Sequence, residues 1–477
     1  MKTGVSNMRA NGAAATCVAA LAAALPLSAG ALPFRAGDLI VSVSGNTDPS
    51  FTTPGRNQAS PIQLIELSTT GQVMGTLLLP EVDVGTNHAI SAEYGSSSEL
   101  LLHRSVDGRS LVVAGYGVDA KTFNSAAPGV YGNAALAQTT SVPGGQYTAV
   151  PREIALIRAN GSIDTTTQLY NAFNTNNPRS VATVDGSSFY IAGQGASKTD
   201  TATQGVFTVQ RGVTTSAPTQ VTGASDYRSV SIQNGTLYAS RDWNGPSGAQ
   251  ATEIDKFATA LPAGASSPTP LNGIGPSINL STASFNGVNN SRGAGNSTYL
   301  SPEDYLFVTD GQGDQYLYIA DSGNPKNGNP GKAGVGVGGL QKWKLVGNTW
   351  QFQYVIYQNL PLVPNFTGTG NNAVAATTGT SGLIGLTGVV VGSNVQFYAT
   401  NATLGDLDQT YVFSVFDPIA QTVRGAVQGS DLFTRIFTAA GGTNVRGIAF
   451  APQVSAPGAF VLGLAGLAAL GLTRRRR

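Results

Sequence analysis

The sequence predicts an all-β chain built from repeated antiparallel hairpins, on three observations. Between Leu32 and Gln453 no long stretch repeats apolar residues at the 3.6-residue helical period, whereas short alternating runs bounded by Gly, Asn, Asp and Pro recur throughout. The 60 Gly and 24 Pro make up nearly a fifth of 477 residues, against about 12% on average. Charged residues are 11% and apolar residues 41%. There is material for a core, but not the Glu, Lys and Arg of long helices or the charge of a disordered chain.

In chain order, the first element precedes the fold. Lys2 and Arg9 form a positive start, an Ala-rich apolar stretch runs from Ala13 to Leu27, and Ala29-Gly30-Ala31 offers a small-residue cleavage site. Residues 1–31 are therefore expected to be a secretory signal peptide. Cys17, the only cysteine, lies inside it, so the expected mature chain has no disulfide, thiolate metal site or cysteine nucleophile.

Residues 32–453 are expected to form one domain. Asp38 to Val43 reads as a lone strand, and Pro61 to Leu67 with Val73 to Leu79 as a hairpin. Hairpins then recur as a unit. Pro178 to Val184, Asp185-Gly186 and Ser188 to Ala192 match Tyr227 to Gln233, Asn234-Gly235 and Thr236 to Ser240. Asp-Gly and Asn-Gly suit tight turns whose two central residues both need positive φ. Looser copies lie around Asp107-Gly108, Asp310-Gly311 and Gly392, with further strands at Glu153 to Ile157, Thr166 to Tyr170, Leu340 to Leu345 and Trp350 to Tyr357.

About four strands per unit, repeated, predicts a β-propeller. Six blades are favoured, seven stay open through a degenerate unit near 260–300, and an elongated β-solenoid is the alternative. The lone strand Val445 to Phe450 should pair beside Asp38 to Val43, joining the two ends in one blade. Leu317-Tyr318-Ile319-Ala320-Asp321-Ser322-Gly323-Asn324 resembles the strand signature of NHL-type propellers and their lactonase-like relatives.

The last element is Ser455-Ala456-Pro457-Gly458, an apolar run from Ala459 to Leu472, Thr473 and four arginines, Arg474 to Arg477. As a helix the apolar run would span about 21 Å, short of the roughly 30 Å hydrocarbon core, with the arginines on the cytoplasmic side. Residues 454–477 resemble a PEP-CTERM sorting signal, with Ala456-Pro457-Gly458 where that signal has Pro-Glu-Pro. The resemblance implies an exosortase-type partner, transient inner-membrane anchoring and delivery to the cell surface or beyond. A permanent anchor is the alternative. Both terminal segments are expected to form short helices. Without them the charge falls from +1 to near −5, which argues against a nucleic-acid partner.

Candidate site residues follow from this frame. Arg179, Arg228 and Arg446 each begin an innermost strand, so they are expected to aim guanidinium groups at the central opening and to bind an acidic ligand such as acidic exopolysaccharide. Loops at 194–205, 241–251 and 322–338 should rim that face. The plainer alternative is that each Arg pairs with a carboxylate such as Asp226 and holds adjacent blades together. Trp243, at a strand end, is a candidate for stacking on a sugar, whereas Trp343 and Trp350 read as packed between blades. Glu303-Asp304, Asp310, Asp314 and Asp321 form the densest carboxylate region, in which Asp310, Asp314 and Asp321 are a calcium candidate; otherwise they cap their own turns. No other cofactor is indicated. His88 and His103, the only histidines, read as ordinary surface or hairpin residues. Two function classes remain: a non-enzymatic surface or matrix protein that binds exopolysaccharide or a surface partner, favoured, and a secreted propeller hydrolase of esterase, phytase-like or lactonase-like type.

Overall fold

The computed structural model describes Met1 and residues 34–45, 55–197, 199–244, 250–258, 260–274, 301–323, 338–362 and 378–453. The expected signal and sorting segments lie outside the described residues, as do most of the loop expected at 322–338 and the tip of that at 241–251.

Among the described residues nearly all regular structure is strand. The chain begins with β1 (Leu39–Ser44), β2 (Ala59–Leu67), β3 (Val73–Leu78), β4 (Ser91–Glu93), β5 (His103–Arg104), β6 (Ser110–Tyr116), a one-and-a-half-turn helix α1 (Ala120–Ser125), β7 (Arg152–Arg158) and β8 (Ile163–Leu169). It continues with β9 (Pro178–Ala182), β10 (Ser188–Gly193), β11 (Gly205–Gln210), β12 (Thr214–Thr215) and β13 (Thr219–Thr222). Next come β14 (Tyr227–Gln233), β15 (Thr236–Asn244), β16 (Gln250–Lys256) and β17 (Thr269–Pro270). The remainder are β18 (Pro302–Thr309), β19 (Gln315–Asp321), β20 (Gly339–Val346), β21 (Thr349–Ile356), β22 (Thr380–Val391), β23 (Asn394–Thr403), β24 (Tyr411–Pro418), β25 (Thr434–Thr438) and β26 (Asn444–Phe450).

Among the described residues four sheets have four strands each: β9–β10–β11–β13, β14–β15–β16–β17, β18–β19–β20–β21 and β22–β23–β24–β25. The fifth has ten strands, because the array β26–β1–β2–β3 is joined to the array around β6, β7 and β8 by pairing of Ala59–Pro61 with Ser91–Glu93. The ends of the fold meet as expected: β1 pairs antiparallel with β26, Leu39 opposite Phe450 and Ser44 opposite Asn444. The first strands of successive arrays pack in a circuit, β26 against β5, β6 against β9, β9 against β14, β14 against β18, β18 against β22 and β22 back against β26. The chain is therefore a β-propeller.

The expected tight turn forms at Asn234-Gly235 but not at Asp185-Gly186. At the latter, pairing stops at Ala182 and Tyr190 and Gly186 alone holds positive φ, at 80°, because the Asp185 carboxylate instead accepts from the Ser187 amide and closes a wider loop. Asn234 and Gly235 both hold positive φ, at 50° and 75°, which a two-residue hairpin needs to match strand twist. Sheets pack face to face through apolar layers. One joins Tyr318, Leu340 and Ile356 to Leu386, Phe397 and Phe413; another joins Val112 and Ile154 to Val181, Phe189 and Ile191. Trp343 and Trp350 are buried, as expected.

The inner strands approach closely at the axis. A Cβ on Gly447 would lie 2.2 Å from the Leu102 amide nitrogen, and one on Gly385 2.7 Å from the Arg446 carbonyl. Below this constriction the circuit encloses a cavity.

Candidate functional site

The three expected arginines do begin inner strands β9, β14 and β26, but they are buried in the wall. Arg179 is 2%, Arg228 8% and Arg446 0% exposed. Arg179 and Arg228 converge on Asp226: Arg179 Nη1 meets Oδ1, and Arg228 Nη2 lies 3.3 Å from Oδ2. Arg179 Nη2 also donates to Gln194 Oε1 at 2.7 Å. Arg446 stands apart and donates to backbone carbonyls of Ser96 at 2.6 Å, Gly95 at 3.2 Å and Asp406 at 3.4 Å. Burial lowers its pKa to about 10, although Asp406, Glu99 and Tyr94 oppose the shift; it remains a cation at neutral pH. All three side chains thus tie loops and neighbouring strands together, and none lines either cavity described below. Trp243 lies in β15, its backbone opposite Ala251; its side chain is outside the described residues.

The carboxylates are not brought together. Asp310 Oδ1 accepts from the Gln312 and Asp314 amides, each at 2.9 Å, and Asp314 pairs with Lys344 at 2.6 Å. Asp321 lies at the other end of β19, about 20 Å away at the usual strand rise. There its Oδ1 accepts from the amides of Ser301 and Gly323 and its Oδ2 from Gln341. Among the described residues no three His, Cys, Asp or Glu side chains gather closely enough to hold a metal ion.

Two cavities lie at the opposite end from the arginines, where inner strands finish. The axial cavity, about 190 Å³, is lined from β5, β9, β14, β18, β22 and β26 by residues including His103, Thr183, Ser231, Asp304, Leu386 and Ile448. At its inner end His103 Nδ1 contacts the Val181 carbonyl at 3.0 Å, and His103 Nε2 lies 3.4 Å from Asp304 Oδ1. Ser229 donates to the same Asp304 oxygen at 2.9 Å, and the Leu386 amide to the other at 3.1 Å. Burial depresses the His103 pKa, but the Asp304 carboxylate and the Val181 carbonyl outweigh it, and the net shift is upward. Ser, His and Asp are present, yet not in relay. Ser229 and Asp304 both address Nε2, with Ser229 hydrogen-bonded to the carboxylate itself, whereas a relay needs serine and carboxylate on different ring nitrogens. The cluster is a polar spoke joining strands across the axis.

The second cavity is a groove of about 280 Å³ between the β14–β17 and β18–β21 sheets. Tyr238, Phe307 and Trp350 form its aromatic side. Tyr238 and Phe307 have centroids 4.7 Å apart and planes inclined at 48°; Phe307 and Trp350 meet edge-on at 5.8 Å. Tyr238 and Phe307 are half-buried. Amides of Gln233, Asn234, Asn272, Gln315 and Asn348 and the ammonium of exposed Lys256 edge the groove. Asn272 is fixed by donating to Thr349 Oγ1 at 2.8 Å, and the Asn272 carbonyl accepts from the Trp350 amide at 2.8 Å. Gln233 borders both cavities. Sequence reasoning did not find this groove. The local sign was there in Tyr305-Leu306-Phe307 and Leu237-Tyr238, aromatics on known strands, but which aromatics face one another depends on how two sheets pack.

No protein-family model matches the chain, and no curated protein matches it. Among solved structures it is similar to an α-L-arabinanase of Penicillium chrysogenum, with 11% identity over 82% of this chain and 99% of that one and a TM-score of 0.40. It is similar also to the soluble aldose sugar dehydrogenase of Escherichia coli, with 12% identity, 77% and 94% coverage and a TM-score of 0.37. A third is a polysaccharide lyase, an ulvan lyase, with 12% identity, 86% and 84% coverage and a TM-score of 0.34. Overlaps this loose transfer neither a residue role nor a reaction.

Proposed function

We propose that this chain is an exported, surface- or matrix-associated propeller that binds acidic exopolysaccharide non-enzymatically. The observation that carries the reading is the groove between the β14–β17 and β18–β21 sheets. It joins half-buried aromatic rings, which stack on the apolar faces of sugars, to amides that suit sugar hydroxyls and to one exposed cation that suits a uronate or sulfate. At about 280 Å³ it lies at the small end of ligand-sized sites, as expected for one or two rings of a longer chain. The cluster of His103, Ser229 and Asp304 supports no hydrolytic relay. Export rests on residues 1–31. Surface delivery through an exosortase-type enzyme, after transient inner-membrane anchoring, rests on residues 454–477.

Affinity electrophoresis in acidic and neutral polysaccharides tests the binding reading. Tyr238→Ala should weaken binding to both, by roughly 3- to 10-fold for the loss of one stacking contact. Lys256→Gln should weaken binding to the acidic polymer alone, and salt should reproduce its effect. Wild-type mobility for both variants would overturn the assignment of the groove. Intact mass of protein from the native cell surface tests the address: loss of residues 1–31 and of Arg474 to Arg477 is expected, and retention of the four arginines would instead indicate a permanent anchor.

A further inference from the structure

A different part of the molecule, between the last two four-stranded sheets, holds an ionisable cluster unconnected with the groove. Lys342, on β20, and Asp417, on β24, are both fully buried. Lys342 Nζ lies 2.8 Å from Asp417 Oδ2 and is held there by the carbonyls of Pro418 and Gln421, each at 2.9 Å, and by the Tyr354 hydroxyl at 3.0 Å. The rings of Tyr316, Tyr318 and Tyr354 surround the nitrogen at 5.1–5.6 Å. Tyr318 donates to Asp417 Oδ2 and Tyr354 to Oδ1, each at 2.5 Å. Asp431, 1% exposed, stands beside Asp417, close enough for the two carboxyls to share a hydrogen bond, and its Oδ2 accepts from Gln421 and the Gly425 amide.

We propose that Lys342 and Asp417 condense spontaneously to an amide, a covalent cross-link between the β18–β21 and β22–β25 sheets. The Nζ lone pair attacks Asp417 Cγ, whose electrophilicity is raised by two phenol donors. A C–N bond forms and one C–O bond breaks. Before the attack the Lys342 ammonium passes one proton to the Asp417 carboxylate across their 2.8 Å contact, leaving a neutral amine and a carboxylic acid. The departing hydroxyl then takes a second proton from Asp431, the amine nitrogen returns one to Asp431, and one water leaves. Nothing is oxidised or reduced, and no other reactant is needed.

Four features favour the step. Burial lowers the Lys342 pKa against the pull of Asp417, which enriches the nucleophilic amine. Burial also raises the Asp431 pKa to about 6, with the Asp417 carboxylate adding to the shift, so the protonated carboxyl that delivers the proton is a minority form at neutral pH and the major form below about pH 6. Finally, a buried ion pair is held against a desolvation cost that a neutral amide does not carry, and fixed proximity can replace an effective concentration of about 10⁵ M or more.

The same contacts would also serve an ion pair that never condenses, and mass distinguishes the two. The full chain, shown to be folded by circular dichroism, is denatured, digested and mapped by tandem mass spectrometry. The expected product is one branched peptide containing Lys342 and Asp417, lighter by one water than its two parts. It should be absent from Lys342→Arg and form at least tenfold more slowly in Asp431→Asn. Only linear peptides from the folded wild-type chain would overturn the proposal, and unchanged cross-linking in Asp431→Asn would overturn the role given to Asp431.

Discussion

Glu93 is a carboxyl group kept protonated by the fold. Burial and the neighbouring Glu99 raise its pKa to about 8, against the Ala137 amide, which donates to Oε2 at 2.6 Å. A pKa raised on folding contributes stability that is complete below the unfolded value of 4.5 and is lost as pH rises through the folded value. His103 acts in the same sense at higher pH, since its folded pKa is also raised, from 6.5. The melting temperature should therefore fall from about pH 5 to pH 8. Glu93→Gln should make that slope shallower and leave the parts owed to His103 and to other buried carboxyls whose pKa is raised, such as Asp431, Glu99, Glu153 and Asp255. A scan by differential scanning calorimetry checks this; a wild-type melting temperature that rises over the range would contradict it. At this scale the sequence was only partly legible. It placed Arg179 and Arg228 at the starts of inner strands and named Asp226 as an available partner. It could not show that Asp226 would lie between them, because that depends on how β9 and β14 pack. His103 read as a hairpin residue because Asp304 is 201 positions away.

Among the elements, a recurring device joins neighbouring arrays at three junctions. Where the pairing register of an inner strand shifts, a buried hydroxyl on the second strand fills the gap. Thr400 Oγ1 accepts from the Gly385 amide at 2.9 Å and donates to the Arg446 carbonyl of the next inner strand at 2.5 Å. Ser240 accepts from the Ser229 amide at 3.0 Å and donates to the Glu303 carbonyl at 3.3 Å. Ser42 accepts from the Gly447 amide at 2.8 Å and donates to the Leu100 carbonyl at 2.6 Å. Each hydroxyl satisfies an amide freed by the bulge and ties one array to the next. Thr400→Val keeps the shape but strands a buried amide and a carbonyl. It should cost about 1–3 kcal/mol in urea unfolding, whereas Thr387→Val, near the cavity mouth, should cost little. Equal stability of Thr400→Val and wild type would remove the staple from the account. Hairpins were legible because Asp-Gly and Asn-Gly turns and alternating strands are local patterns. The staples were not: Ser and Thr are common in strands, and a register shift leaves no local mark.

Across the whole molecule, the fold depends on where the chain closes. The sequence showed that Asp38 to Val43 and Val445 to Phe450 lacked nearby partners, and the structure pairs them. What it did not show is that β2 also pairs with β4, merging the closing array with its neighbour into one ten-stranded sheet. Closure therefore loads β1 from several directions. Its outward neighbour is β2, its inward neighbour is β26, and its apolar residues Leu39, Val41 and Val43 pack with Val412 and Tyr398 from the preceding array. In a ring, every array leans on two others, so removing the seam should unlock all of them together; in a solenoid, each repeat contacts only its neighbours, and loss at one end stays local. Deleting residues 32–46 should abolish cooperative unfolding of the whole domain. Hydrogen exchange monitored by mass spectrometry reads this directly. Protection should be lost not only in β2 and β26 but also in β10 and β15, on the far side of the circuit. Protection retained in β10 and β15 would mean that the arrays stand without the seam, and that the circuit is held by each pair of neighbours alone.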